Sequence, residues 1–107
     1  MLNNRRLNSR VASNLPVEIS IGSQVVIHGQ LKDLSSKDAF IRMKSNIFMQ
    51  LNDQLNFAIQ CSSGTEDTVS GEARISRILA GEGIAIYFTK LSEGSIPRLE
   101  QLVAMGR

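Results

Sequence analysis

"TVSGEARISRILAGEGIAIYF", residues 68–88, is the stretch that decides the fold. Its first part sets small or apolar Val69, Gly71, Ala73 and Ile75 on alternate positions against Ser70, Glu72, Arg74 and Ser76. A period of two marks a strand with one face buried. "AGEG" (80–83) is turn chemistry, so "IAIYF" (84–88) pairs back as the second arm of a hairpin. Arg74 and Arg77 are three positions apart, so on a regular strand they face opposite sides, and both read as solvated.

The same pattern extends upstream. "LPVEISI" (15–21) alternates Leu15, Val17, Ile19 and Ile21 against Pro16, Glu18 and Ser20, with Pro16 at an edge or entry position. "GSQ" (22–24) is a turn. "VVIHGQLKDLS" (25–35) is a second strand, less strictly patterned, with Gly29 marking a bulge or bend. "DAFIRM" (38–43) is a short third strand, and residues 44–53 connect it to "QLNFAIQC" (54–61), which alternates through Leu55, Phe57, Ile59 and Cys61. "SSGTED" (62–67) is a polar turn. Beyond the hairpin the period changes: Ile96, Leu99, Leu102 and Val103 fall at helical spacing, Ser95 is placed to cap, and Pro97 is tolerated in a first turn. Six short one-sided strands followed by one amphipathic helix give a mainly β class, a six-stranded antiparallel β-barrel whose C-terminal helix covers an open side. Residues 14–107 form this domain, and residues 1–13 precede it as a flexible arm.

The chain has 107 residues, one domain by size, with 42% hydrophobic and 21% charged residues. Its net charge of +2 is too small for a general polyanion binder, but Arg5, Arg6 and Arg10 crowd the first ten positions, where no acid occurs. That asymmetry points to an anionic partner at the arm. Cys61 is the single cysteine, which rules out an intrachain disulfide and a cysteine-rich zinc site and fits a cytoplasmic setting. No apolar run approaches the roughly 20 residues that cross a bilayer, and the first sixteen residues lack the apolar core of a secretory signal.

Enzymatic chemistry is not expected. His28 is the one histidine, without an acid or nucleophile at a telling spacing. Cys61 ends an apolar strand face and reads as a small hydrophobe. There is no phosphate loop, no HExxH and no GxSxG. "GEG" (81–83) is followed by a strand rather than a helix, so it is not a dinucleotide loop. Catalytic residues and metal ligands are therefore expected to be absent. Two constellations remain: Arg5, Arg6 and Arg10 in "RRLNSR", and Asp33 with Ser35 in "DLSSKDAFI".

Taken in order, "RRLNSR", "DLSSKDAFI", "GEARISR", "GEGIAIYF" and a closing helix resemble a PilZ domain, from Arg5 to about Met105. PilZ domains are bacterial receptors for the second messenger cyclic di-GMP, and their two motifs are RxxxR and [D/N]xSxxG. The resemblance implies a six-stranded antiparallel barrel with a C-terminal helix. It also implies a ligand-binding set: Arg6 and Arg10 match RxxxR, Arg5 the arginine before it, and Asp33, Ser35 and Asp38 the three positions of the second motif. Asp38 departs from the pattern, because that position is usually glycine.

The chemistry suits the ligand. An arginine fork bonds guanine O6 and N7 together, or clamps phosphate oxygens. A carboxylate such as Asp33 suits the guanine edge where N1–H and N2–H₂ are paired donors, and Ser35 adds a hydroxyl to the ligand or to the turn. Asp38 adds a second negative charge; like charges about 4 Å apart repel by roughly 1 kcal/mol in water and about 4 at an intermediate dielectric. A carboxylate directed to solvent, or paired with Lys37 or Arg42, would avoid that cost. The implied function is a non-enzymatic cyclic di-GMP receptor or adaptor needing no cofactor. It couples messenger level to motility, surface attachment or exopolysaccharide output through a protein partner, by ligand-driven ordering of the arm. The alternatives are a degenerate PilZ domain acting through protein contacts alone, and a small barrel binding single-stranded nucleic acid. The second needs stacking aromatics, and only Phe40, Phe48 and Tyr87 lie off the apolar faces; DNA and RNA are not the expected partners, and membrane insertion is not expected.

Overall fold

A computed structural model describes residues 11, 12, 14–22, 25–43, 49–61 and 68–105. The elements run β1 (Val11–Ala12), β2 (Pro16–Ile21), β3 (Val25–Leu34), β4 (Asp38–Arg42), β5 (Gln54–Gln60), β6 (Thr68–Leu79), β7 (Gly83–Leu91) and α1 (Ser95–Met105). All pairings are antiparallel, in the order β1-β3-β2-β5-β6-β7-β4, and β3 also pairs with β4. That last pairing closes β2 to β7 into a six-stranded barrel. β1 is a two-residue addition to β3 that lies within the arm segment, with Val11 opposite Leu34 and Ala12 opposite Asp33.

Alternation builds the core. Val17 and Ile19 of β2, Leu31 of β3, Ile41 of β4, Leu55 and Ile59 of β5, Val69 and Ile75 of β6, and Ile84 and Ile86 of β7 are all buried in one cluster. Phe57 stacks on Phe88 at 4.9 Å between ring centroids, an aromatic pair inside the barrel wall. Each such side chain contributes roughly 1.5–3 kcal/mol by leaving water. Cys61 is half-buried against this cluster. α1 packs on β6 through buried Leu99 and half-buried Leu102 and Val103. The Ser95 hydroxyl accepts a hydrogen bond from Ser70 N at 3.0 Å, so it ties the helix start to β6.

Close approaches at glycines, Gly71 to Lys90 O among them, let the strands meet. A Cβ on Gly83 would stand 2.0 Å from Ile41 O, and one on Gly29 would stand 2.6 Å from Arg42 O. Gly29 therefore marks a tight crossing rather than a bulge, since its register with Val17 is regular. The bulge in β3 lies further on, between Leu31 and Asp33. Its cause is in the sequence: Leu31 and Leu34 both enter the core, which three-residue spacing on a regular strand forbids. The extra residue leaves Lys32 exposed and Asp33 half-buried beside it. A register shift between Ile75 and Arg77 in β6 overturns the expectation that its two arginines face opposite sides, while both are solvated as expected. Arg74 pairs with Tyr87 and Arg77 with Ala85, two positions on the same face of β7, so both arginines are exposed on one side of the sheet.

Candidate functional site

The turn between β3 and β4 is built around one buried hydroxyl. Ser35 is 4% exposed. Its Oγ accepts from Lys37 N at 3.1 Å and Asp38 N at 3.2 Å, and donates to Asp38 Oδ1 at 2.8 Å. Ser35 N donates to Asp38 O at 2.9 Å, which closes the turn, and Phe88 N donates to Lys37 O at 2.9 Å, which pins it to β7. Serine fits because its short side chain both accepts and donates beside its own backbone. Ser36 and Lys37 remain exposed at the tip.

Asp33 stands on the last turn of β3, opposite Ala12 on one side and Phe40 on the other. The bulge puts it on the outer surface of the barrel rather than inside. From there an outer row runs Asp33, Phe40, Ala85, Arg77 across β3, β4, β7 and β6, and a parallel row runs Asp38, Tyr87, Arg74. Tyr87 is 51% exposed. Asp33, Ser35 and Asp38 thus share one end of the β3–β4 hairpin. Arg5, Arg6 and Arg10 lie outside the described residues, and β1, which follows them in the chain, is held against Asp33 and Leu34.

The model of the PilZ domain family matches residues 4–105. This chain belongs to the PilZ domain family. No curated protein sequence matches it. Among the solved structures that share the fold are the following three. Bacillus subtilis inhibitor of motility, MotI/DgrA, has a TM-score of 0.78 at 17% identity, covering 94% of this chain and 50% of that one. This PilZ domain thus spans half the length of that protein. The PilZ domain of CeSA from a cellulose-synthesizing bacterium has a TM-score of 0.69 at 20% identity, covering 91% and 96%. The PilZ domain of YcgR from Escherichia coli, solved with c-di-GMP, has a TM-score of 0.64 at 12% identity, covering 95% and 91%.

In this PilZ domain the carboxylate at the glycine position is absorbed locally. Asp38 is not among the positive-φ residues. It opens β4 opposite Tyr87, so its backbone does not require glycine, and its side chain accepts the Ser35 hydroxyl.

Sequence reasoning passed over a groove of about 870 Å³ that runs along β3 and β4 and reaches Lys32 and Phe40, the neighbours of Asp33 in the chain and across the strand. Pro16, Ile27, Phe40 and Met43 give it apolar lining, while Gln30, Lys32, Arg42 and Glu82 bring polar groups to it. Lys32 Nζ sits 5.5 Å from the centre of the Phe40 ring, a cation–π distance. Phe40 is buried although it lies on the opposite face of β4 from Ala39 and Ile41. The available signal was the Leu31–Leu34 spacing, which demands a bulge and so turns both Lys32 and Asp33 outward. Among the described residues no cluster of histidine, cysteine and carboxylate has the makings of a metal site, and no helix is long and apolar enough to cross a membrane.

Proposed function

We propose that this PilZ domain is a receptor for cyclic di-GMP. The ligand is gripped between Arg5, Arg6 and Arg10 of the arm and the Asp33–Asp38 end of the β3–β4 hairpin. The observation that carries this reading is the pairing of Val11 with Leu34 and of Ala12 with Asp33. It tethers the arginine motif to the strand that bears the acid. β1 runs antiparallel to β3, with its first residue, Val11, opposite Leu34 and so next to Ser35. Arg6 is five residues from Val11, a reach of roughly 17 Å when extended, enough to lie across a ligand seated at the turn. Asp33 accepts from the guanine N1–H and N2–H₂ edge, and the arginines take phosphate or the O6/N7 edge. Ser35, whose hydroxyl bonds are spent on the turn, acts by holding the turn and Asp38 in place.

Ligand ordering of the arm changes the surface shown to a protein partner, and the entropy cost of ordering makes the arm a switch. The output is motility, attachment or exopolysaccharide production, in the cytoplasm, with no cofactor or catalytic step. The structures that share its fold include a motility inhibitor and a PilZ domain from a cellulose-synthesizing bacterium, at 17% and 20% identity. A second reading, a domain that works through protein contacts without nucleotide, rests on Asp38 in the glycine position.

Titration calorimetry with cyclic di-GMP on the wild type, Arg6→Ala and Asp33→Ala tests the proposal. Saturable binding that weakens at least tenfold in both variants supports it. No heat at high ligand concentration supports the second reading, and equal displacement by any oligonucleotide supports a nucleic-acid binder.

A further inference from the structure

We propose that the groove along β3 and β4 is a second subsite for the same ligand, in which Lys32 and Arg42 hold a phosphate of the cyclic dinucleotide. This rests on the receptor reading above and says where the half of the ligand that Asp33 does not hold is seated.

Cyclic di-GMP has two phosphates and two guanines, and Asp33 accepts from the edge of one guanine only. The groove reaches the chain neighbour and the cross-strand neighbour of Asp33. Lys32 adjoins Asp33 in the chain, and Phe40, which lines the groove, is the cross-strand partner of Asp33. Its volume of about 870 Å³ lies in the range of roughly 300–1,000 Å³ usual for small-molecule sites.

The charges fit an anion. Gln30 and Arg42 face each other across β3 and β4. Lys32 is two positions from Gln30 on the same exposed side. Lys32 and Arg42 stand on neighbouring strands and both line the groove, so an anion seated between them would meet two positive charges. The acid that lines the groove is Glu82, in the β6–β7 turn; His28, also at the groove, has Glu18 at 4.0 Å. Lys32 Nζ stands 5.5 Å from the centre of the Phe40 ring, on the groove lining, and Arg42 offers a planar fork to phosphate oxygens. Apolar Ile27, Phe40 and Met43 in the same lining suit the face of a purine.

Both cations are exposed, so charge can be removed without disturbing the core. Calorimetry with cyclic di-GMP would compare the wild type with Lys32→Met, which keeps the stem on Phe40, with Arg42→Gln, and with Lys90→Met, which removes an equal charge on β7 away from the groove. Lys32→Met and Arg42→Gln are each expected to weaken binding by about 10- to 100-fold, as for loss of a charge-assisted bond. Their dependence of affinity on salt should be shallower and their melting temperatures unchanged. Lys32→Arg should restore affinity, and Lys90→Met should leave it unaltered. Wild-type binding that Lys32→Met and Arg42→Gln leave intact overturns the subsite while the receptor reading stands. An equal loss in Lys90→Met also overturns it, as an effect of net charge. Absence of binding to the wild type overturns the receptor reading and the subsite together.

Discussion

The Ser35 hydroxyl donates to Asp38 Oδ1 across 2.8 Å, so the carboxylate that stands where the family pattern has glycine is held by the serine of the same motif. The bond directs Asp38 back into its own turn, and the like-charge cost of a second acid is lowered because the carboxylate shares its charge with a donor. Neither Lys37 nor Arg42 is needed for this.

Asp38→Gly separates the two roles of that carboxylate. The variant loses the bond from Ser35 and places glycine in a strand, which together cost about 1–2 kcal/mol. For a domain of this size that lowers the melting temperature by roughly 4–8 °C per kcal/mol. Affinity for cyclic di-GMP is expected to be equal or tighter, because a negative charge beside the phosphates is gone. Clear weakening in calorimetry would show that Asp38 itself touches the ligand.

Ser35→Ala acts on the turn from its centre. The backbone N–H groups of Lys37 and Asp38 lose their acceptor and Asp38 loses its donor. Water can reach the exposed tip and compensate in part, so the expected loss is about 1–3 kcal/mol in denaturant unfolding of the ligand-free protein. Stability equal to the wild type would mean that the serine is present for the ligand and not for the turn.

The two glycines that flank Glu82 should behave differently. Gly83→Ala drives a Cβ to 2.0 Å from Ile41 O, at the β4–β7 seam that helps close the barrel. Backbone must shift there, with an expected cost above about 3 kcal/mol. Gly81 has φ +78 and nothing within 4 Å of a new Cβ, so Gly81→Ala costs only the left-handed strain of about 1–2 kcal/mol. Chemical denaturation of both variants checks the ratio; similar losses would place the strain in the turn rather than at the seam.

Period-two alternation made most of the barrel legible, and it failed at the bulges. β2, β5 and the first part of β6 carry strict alternation, and their buried faces are the ones that Val17, Ile19, Leu55, Ile59, Val69 and Ile75 mark. The rule that makes such strands readable also sent Arg74 and Arg77 to opposite faces, because a bulge adds a residue without changing composition. β7 continues to Leu91, past the last clear apolar alternation at Phe88, because Leu91 and Lys90 still pair with Gly71 and Glu72. Asp33, Ser35 and Asp38 could be placed on one turn from the motif alone. Lys32 and Arg42 could not be joined to them, since nothing in a linear pattern states that two exposed cations flank one groove.

Amide exchange reads the arm directly. Val11 and Ala12 form only a two-residue strand, and so short a pairing opens at little cost. In the ligand-free protein Val11 and Ala12 are therefore expected to exchange quickly, while β5 and β6, each paired on both sides, exchange slowly. Saturating cyclic di-GMP should slow exchange across residues 4–12 by at least tenfold, with a smaller effect at Asp33–Asp38, which the turn already holds. Arg6→Ala at the same ligand concentration should return the arm to its fast rate while leaving β5 and β6 unchanged. If residues 4–12 were already strongly protected without ligand, the arm would be a fixed part of the fold and the ligand would have no ordering left to do.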